Sequence, residues 1–246
     1  MKIPQAWIAP DWPAPARVKS IITTRHGGVS SGAFASFNLG LRCDDDLAAV
    51  RANRTRLAQY LPQTPRWLHQ AHGATVVAAD TLESESDADA SIARNAGTVC
   101  AVMIADCMPV LLCDDQGSVV AAAHAGWRGL SSGVIENTIR AMNVDAARLM
   151  AYLGPAIGPA AFEVGADVRD AFVRHDTAAA VAFKPQRADK WLADLFTLGR
   201  QRLAACGVRR VYGGTDCTAS DPQRFFSYRR DKTTGRMAAL IWLSAD

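Results

Sequence analysis

Three apolar runs stand close together in the middle of the chain: residues 98–104 (TVCAVMI), 109–113 (PVLLC) and 118–124 (SVVAAAH). They are too continuous for strands with one wet face and too short for buried helices bounded by turn residues. Runs of this kind are strands covered on both sides, so the chain must supply layers above and below them. Further segments can provide the cover. Residues 17–23 read as a strand, and 45–60 as a helix that Asp44 or Asp45 could cap. Residues 67–70 and 75–79 read as strands flanking a turn at Gly73. Val134, Ile135, Ile139 and Met142 fall on one helical face, with Ser131 or Ser132 as the cap. Leu192, Leu195, Phe196 and Leu203 form a second apolar face, and Gly207 stands where that helix should stop. Residues 208–212 and 237–243 read as closing strands. Strands interspersed with helices make an α/β or α+β domain. With no repeat or low-complexity linker, one domain over 1–246 is expected. The one acidic, polar stretch, residues 83–89 (ESESDAD), reads as a solvated loop.

Composition narrows the function classes. Apolar residues make up 49% and charged residues 21%, ordinary soluble usage that excludes intrinsic disorder. The net charge of +3 contains no block of like charge, which argues against a nucleic-acid partner. The prolines and Asp11 of the first residues leave no signal-peptide core. The apolar stretch 99–113 is broken by Asp106 and Pro109 and is too short to span a bilayer. A cytoplasmic protein, monomeric or a small homo-oligomer, is expected. Its six cysteines then belong to a reducing compartment and are not a disulfide scaffold. No glycine-rich loop of dinucleotide or P-loop type follows a strand.

Three short segments carry chemistry: 70–73 (QAHG), 105–109 (ADCMP) and 123–129 (AHAGWRG). Each sets one His or Cys at the end of an apolar run beside a Gly or Pro turn. His72, Cys107 and His124 would give three protein ligands, the number a catalytic zinc uses while leaving a position for water. Zinc lowers the pKa of its water to about 7, so hydroxide becomes available at neutral pH. The same atoms support other readings. Cys107 could be a thiolate nucleophile with His124 or His72 as base. Two His and a Cys beside Met108 also match a mononuclear copper site, whereas a multicopper cluster would need more than the five histidines present. Cys100 and Cys113 read as core residues, and His69 and His175 as structural.

At these positions the sequence resembles the YfiH family, also labelled laccase-domain proteins, polyphenol oxidases and peptidoglycan editing factors. The matching stretches are 23–40 (TTRHGGVSSGAFASFNLG), 70–73, 105–114 (ADCMPVLLCD), 124–129 (HAGWRG), 153–164 (LGPAIGPAAFEV) and 226–236 (FSYRRDKTTGR). Together they span nearly the whole chain. The resemblance implies a four-layered α/β/β/α domain with two packed mixed sheets between helices, and zinc bound by His72, Cys107 and His124. It implies phosphorolysis of adenosine, inosine, guanosine and methylthioadenosine, together with adenosine deamination, so a purine nucleoside and phosphate are the expected partners. An amide hydrolase acting on a peptidoglycan precursor and a copper polyphenol oxidase are the alternatives. On the phosphorylase reading, Arg25 would grip phosphate, Arg229 or Arg230 would add charge, and Asn38 would hydrogen-bond a ribose hydroxyl or a base edge. Asp106 would deliver a proton or orient a histidine ligand.

Overall fold

The structure, a computed structural model, describes residues 3–83 and 85–245. In chain order the elements are β1 (Val18–Ile22), α1 (Leu47–Ala58), β2 (Leu68–His69), β3 (Val76–Ala78), β4 (Ser86–Asp87), β5 (Ala90–Ala93), β6 (Cys100–Ile104), β7 (Met108–Asp114) and β8 (Val120–Ala125). There follow α2 (Trp127–Ser131), α3 (Val134–Met142), β9 (Leu149–Leu153), β10 (Glu163–Gly165), α4 (Ala166–Val173), β11 (Phe183–Arg187) and β12 (Lys190–Ala193). The chain closes with α5 (Leu195–Ala205), β13 (Arg210–Gly213), α6 (Tyr228–Asp231) and β14 (Met237–Leu243).

Side-chain alternation along the strands sets the layers, because successive residues of a strand point to opposite faces. β1, β14 and β6 form a three-stranded sheet that is antiparallel throughout. β13, β9, β7, β8, β5 and β3 form a six-stranded sheet with antiparallel pairs in the middle and a parallel pair at each edge. Met237, Ala239 and Ile241 of β14 meet Leu111, Cys113, Val120 and Ala122 in a core between the two sheets. The intervening Ala238, Leu240 and Trp242 pack outward with Leu57 of α1, Phe37 and Trp67. On the far side, Val110, Leu112, Ala121 and Ala123 pack on Ile135, Ile139 and Met142 of α3 and on Leu195 and Leu203 of α5. The order is therefore helix, sheet, sheet, helices. Every residue of β7 and β8 is buried, as strands covered on both faces require.

Several boundaries differ from those the sequence suggests, and local hydrogen bonds or backbone conformation account for them. Asp46 caps α1 by accepting from the Ala48 amide, while Asp45 accepts from the Ser30 hydroxyl and the Asn38 amide. Ser131 and Ser132 finish α2, and α3 instead starts after Gly133, whose φ of +92° suits a residue without Cβ. Asp194 accepts from the amides of Phe196 and Thr197, which fixes the start of α5 at Leu195 and leaves Leu192 in β12, not on the helix. The described residues of 83–89, all but Ser84, are not simply a solvated loop. Ser86 and Asp87 form β4, and Asp89 is 1% exposed.

Candidate metal centre

His72, Cys107 and His124 come from three different connections at one end of the sheet pair. His72 lies between β2 and β3, and Cys107 on the link between β6 and β7 that joins one sheet to the other. His124 is in β8, where the register places it opposite Pro109. Their ligand atoms all lie within 4.8 Å of one another. The two imidazole rings stand edge to face, with centroids 4.9 Å apart. Gly126 makes this approach possible, since a Cβ there would lie 2.6 Å from Cys107 Sγ.

Asp89 organises the cluster. It immediately precedes β5, whose Ala90 pairs with Ala123 of β8, so its carboxylate arrives beside His124. His124 Nδ1 meets Asp89 Oδ1 at 2.9 Å, which leaves Nε2 as the ligating nitrogen. The same carboxylate accepts the backbone N–H groups of Ala71, His72 and Gly73 at 3.2, 2.9 and 2.6 Å. These bonds hold His72 at a φ of +60°, a left-handed conformation that costs energy in a residue with a side chain.

The electrostatics follow. Burial works against the charged form of Asp89, but its bonds to His124 and Gly73 outweigh that and hold it below the usual carboxylate range. Burial also pushes the Cys107 thiol up, and the neighbouring His124 and His72 more than reverse this, bringing it to about 6. His124 is disfavoured as a cation by burial, yet Cys107 and Asp89 raise it to about 9. By contrast, burial raises the core thiols Cys100 and Cys113 to about 12. A depressed thiol is what a metal ligand or a nucleophile needs. Two imidazoles and a thiolate whose donor atoms already converge fit a single borderline-soft cation such as zinc.

The cluster lies in a cleft of about 630 Å³, within the usual range for small-molecule sites. Arg42, Arg54, Arg128, Arg229 and Arg236 line it, against the carboxylates of Glu85 and Asp106. Trp127, Phe162 and Tyr228 add aromatic surface.

A family model described as multi-copper polyphenol oxidoreductase laccase matches residues 19–244. A purine nucleoside phosphorylase of Pseudomonas aeruginosa is 53% identical over 239 residues, covering 97% of this chain and 98% of that protein. The Escherichia coli purine nucleoside phosphorylase YfiH is 52% identical, covering 96% of this chain and 98% of that one. The chain belongs to the YfiH family. A crystal structure of a Neisseria meningitidis protein, titled with the family designation DUF152, shares the fold at a TM-score of 0.95 and 53% identity, covering 98% of this chain and 100% of that one.

Within this YfiH-family cleft the residues suggested by sequence separate into two groups. Arg229 and Asp106 line it. The Arg229 guanidinium lies over the Phe162 ring and donates to the Glu163 carbonyl at 2.7 Å. Asp106 does not orient a histidine, the role that falls to Asp89. It accepts from the Thr218 hydroxyl and the Arg229 amide, both at 2.6 Å, and so anchors the start of α6. Arg25 and Asn38 do not reach the cleft. Arg25 donates to the carbonyls of Ala35 and Pro222 and stacks on Phe226. Asn38 is fully buried and exchanges bonds with Gly40, Asp45 and the Arg236 amide. Both are loop scaffolding. Arg230 is likewise spent on Asp231 and on the carbonyls of Thr218 and Phe225. Met108, the candidate copper ligand, is fully buried in the helix-side core, where its methyl abuts Gly199 of α5.

Asp89 escapes a sequence reading because it ends an acidic run. Its one signal is its place directly before an apolar strand. Arg42 and Arg54 carry no local signal, and Tyr228 and Arg236 stand out only within the family-matching stretch 226–236; helices α1 and α6 and two loops bring the four together.

Proposed function

We propose that this chain is a metal-dependent purine nucleoside phosphorylase, in which phosphate displaces a purine base from ribose C1′ to give free base and ribose 1-phosphate. The observation that carries this reading is the cleft itself: two imidazoles and a depressed thiol converge beneath an arginine-rich, aromatic wall. Relatives that match nearly the whole chain bear the phosphorylase name. Zinc is the ion we assign, held by His72, Cys107 and His124. A bound zinc ion would supply Lewis-acid polarisation of an oxygen at the cleft floor. Adenosine deamination and methylthioadenosine phosphorolysis are proposed for the same cleft, in one domain over 1–246.

The chain's own side chains divide the work. Arg128, whose guanidinium rests on the Trp127 ring and takes no carboxylate partner among the described residues, is free to grip an anion. Arg236 stands on the same wall and donates to the carbonyls of Thr234 and Gly235, which fixes its position. Tyr228 and Phe162 give the wall aromatic surface against which a purine would pack, and Asp106 holds α6 and with it Tyr228 and Arg229 in place. Met108 turns away into the core, which weighs against a mononuclear copper site, and the single donor group among the described residues weighs against a multicopper cluster. A cytoplasmic location is part of this proposal; no helix of the described residues is long and apolar enough to cross a membrane.

The test is product analysis with adenosine, with and without phosphate, alongside elemental analysis. Phosphate-dependent release of adenine and ribose 1-phosphate by zinc-loaded protein is expected, with inosine reporting the deaminase. Oxygen uptake with a phenol, or cleavage of a muramyl peptide while nucleosides stay intact, would overturn the proposal.

A further inference from the structure

Another histidine lines the same cleft. β2 and β4 are short strands paired in parallel, with His69 in register with Asp87. Leu68 points into the core at 2% exposure, and His69 points outward. His69 Nδ1 meets Asp87 Oδ1 at 2.5 Å, and the side chain remains 49% exposed. Nε2 is therefore the nitrogen left over, and it has no hydrogen-bond partner among the described residues. The pair is firmly mounted. The Gln70 side chain donates to the Met103 carbonyl at 2.9 Å and accepts from the Met103 amide at 2.7 Å, while the Ala88 amide donates to the His69 carbonyl. The other charged groups on this part of the wall are Glu85, Arg42 and Arg54. Glu85 lies 3.7 and 3.8 Å from the two arginines, which leaves Asp87 as the carboxylate that holds the imidazole.

An imidazole that lines a cleft, with one nitrogen fixed on a carboxylate and the other unpartnered among the described residues, is the arrangement of a proton-transfer group. We propose that His69, positioned by Asp87, protonates the departing purine; this rests on the phosphorylase reading above. As a phosphate oxygen bonds to C1′, the C1′–N9 bond breaks and its electron pair passes to the base. The base is a poor leaving group until it gains a proton. Doubly protonated His69 gives its Nε2 proton to purine N7 and keeps its Nδ1 proton on Asp87. Hydrogen phosphate loses one proton on becoming the sugar ester. That proton returns to His69 through solvent, which reaches the exposed ring, and the cycle balances.

The test compares inosine with 7-methylguanosine, whose base carries a methyl group on N7 and leaves without protonation there. His69→Asn is expected to lower kcat/KM for inosine by about 100-fold and to leave 7-methylguanosine within about threefold of wild type. Asp87→Asn should follow the same split with a smaller loss. Equal losses on both nucleosides, or an unchanged rate on inosine, would overturn the assignment. Wild-type protein that cleaves neither nucleoside in phosphate overturns the phosphorylase reading itself, and His69 loses its role with it.

Discussion

Asp89 accepts three backbone amides and one imidazole, more than any other carboxylate near the cleft. Asp89→Asn keeps the shape but replaces an acceptor oxygen with a donor, so the His72 turn and the His124 tautomer both lose support. We expect metal retention to weaken by about 10–100-fold, read by competition with a chromophoric chelator. Cys107→Ala should abolish stoichiometric zinc altogether, and retained metal in that variant would refute the ligand set. The three candidate ligands were legible because each interrupts or ends an apolar run beside a turn residue. Asp89 was not, because an acidic residue among other acids has the pattern of solvated surface. Only the pairing of Ala90 with Ala123 turns it inward. The opposite error concerns Arg25 and Asn38. Their types suit ligand binding, but a loop that folds back on itself needs the same donors for its own carbonyls.

Elements were legible where one face is apolar over several turns. The face Val134, Ile135, Ile139 and Met142 is buried as its spacing requires. Where the period gives way to a short strand, the reading slips. Leu192 matches the helical spacing, yet the cap at Asp194 starts the helix later. β5, β9 and the small sheet of β10, β12 and β11 were not among the strands the sequence suggested; pairing with their partners defines them. Asp194→Ala is expected to cost about 1–2 kcal/mol in urea unfolding, because two amides and the Thr197 hydroxyl lose their acceptor. Ile135→Ala, at 0% exposure between α3 and the six-stranded sheet, should cost about 2–5 kcal/mol in the same assay.

At the scale of the molecule, the continuous apolar runs foretold that covering layers exist, and the clusters on either side of the sheets are those layers. The layering also makes the fold sensitive to acid. Asp114 is fully buried at the end of β7. Burial disfavours its charge, but the hydroxyl and amide of Ser118, the Val119 amide and Arg148 outweigh that and hold it below the usual carboxylate range. A depressed carboxylate stabilises the folded state above its unfolded value of about 4, and the contribution is lost as pH falls through the lower folded value. Wild type should therefore lose stability below about pH 4 more steeply than Asp114→Asn, with urea midpoints measured across acid pH as the check. A final consequence comes from where Cys107 stands, on the short bridge from β6 to β7. Between the chain's crossings, the inner faces of the two sheets adhere through hydrocarbon, a contact that resists separation better than sliding. An ion seated on His72, Cys107 and His124 would tie the link leaving β6 to β8 of the other sheet and to the turn before β3. Amide exchange should then slow on zinc loading chiefly where β6 ends and β7 begins, and hardly at all at the distant edge formed by β13.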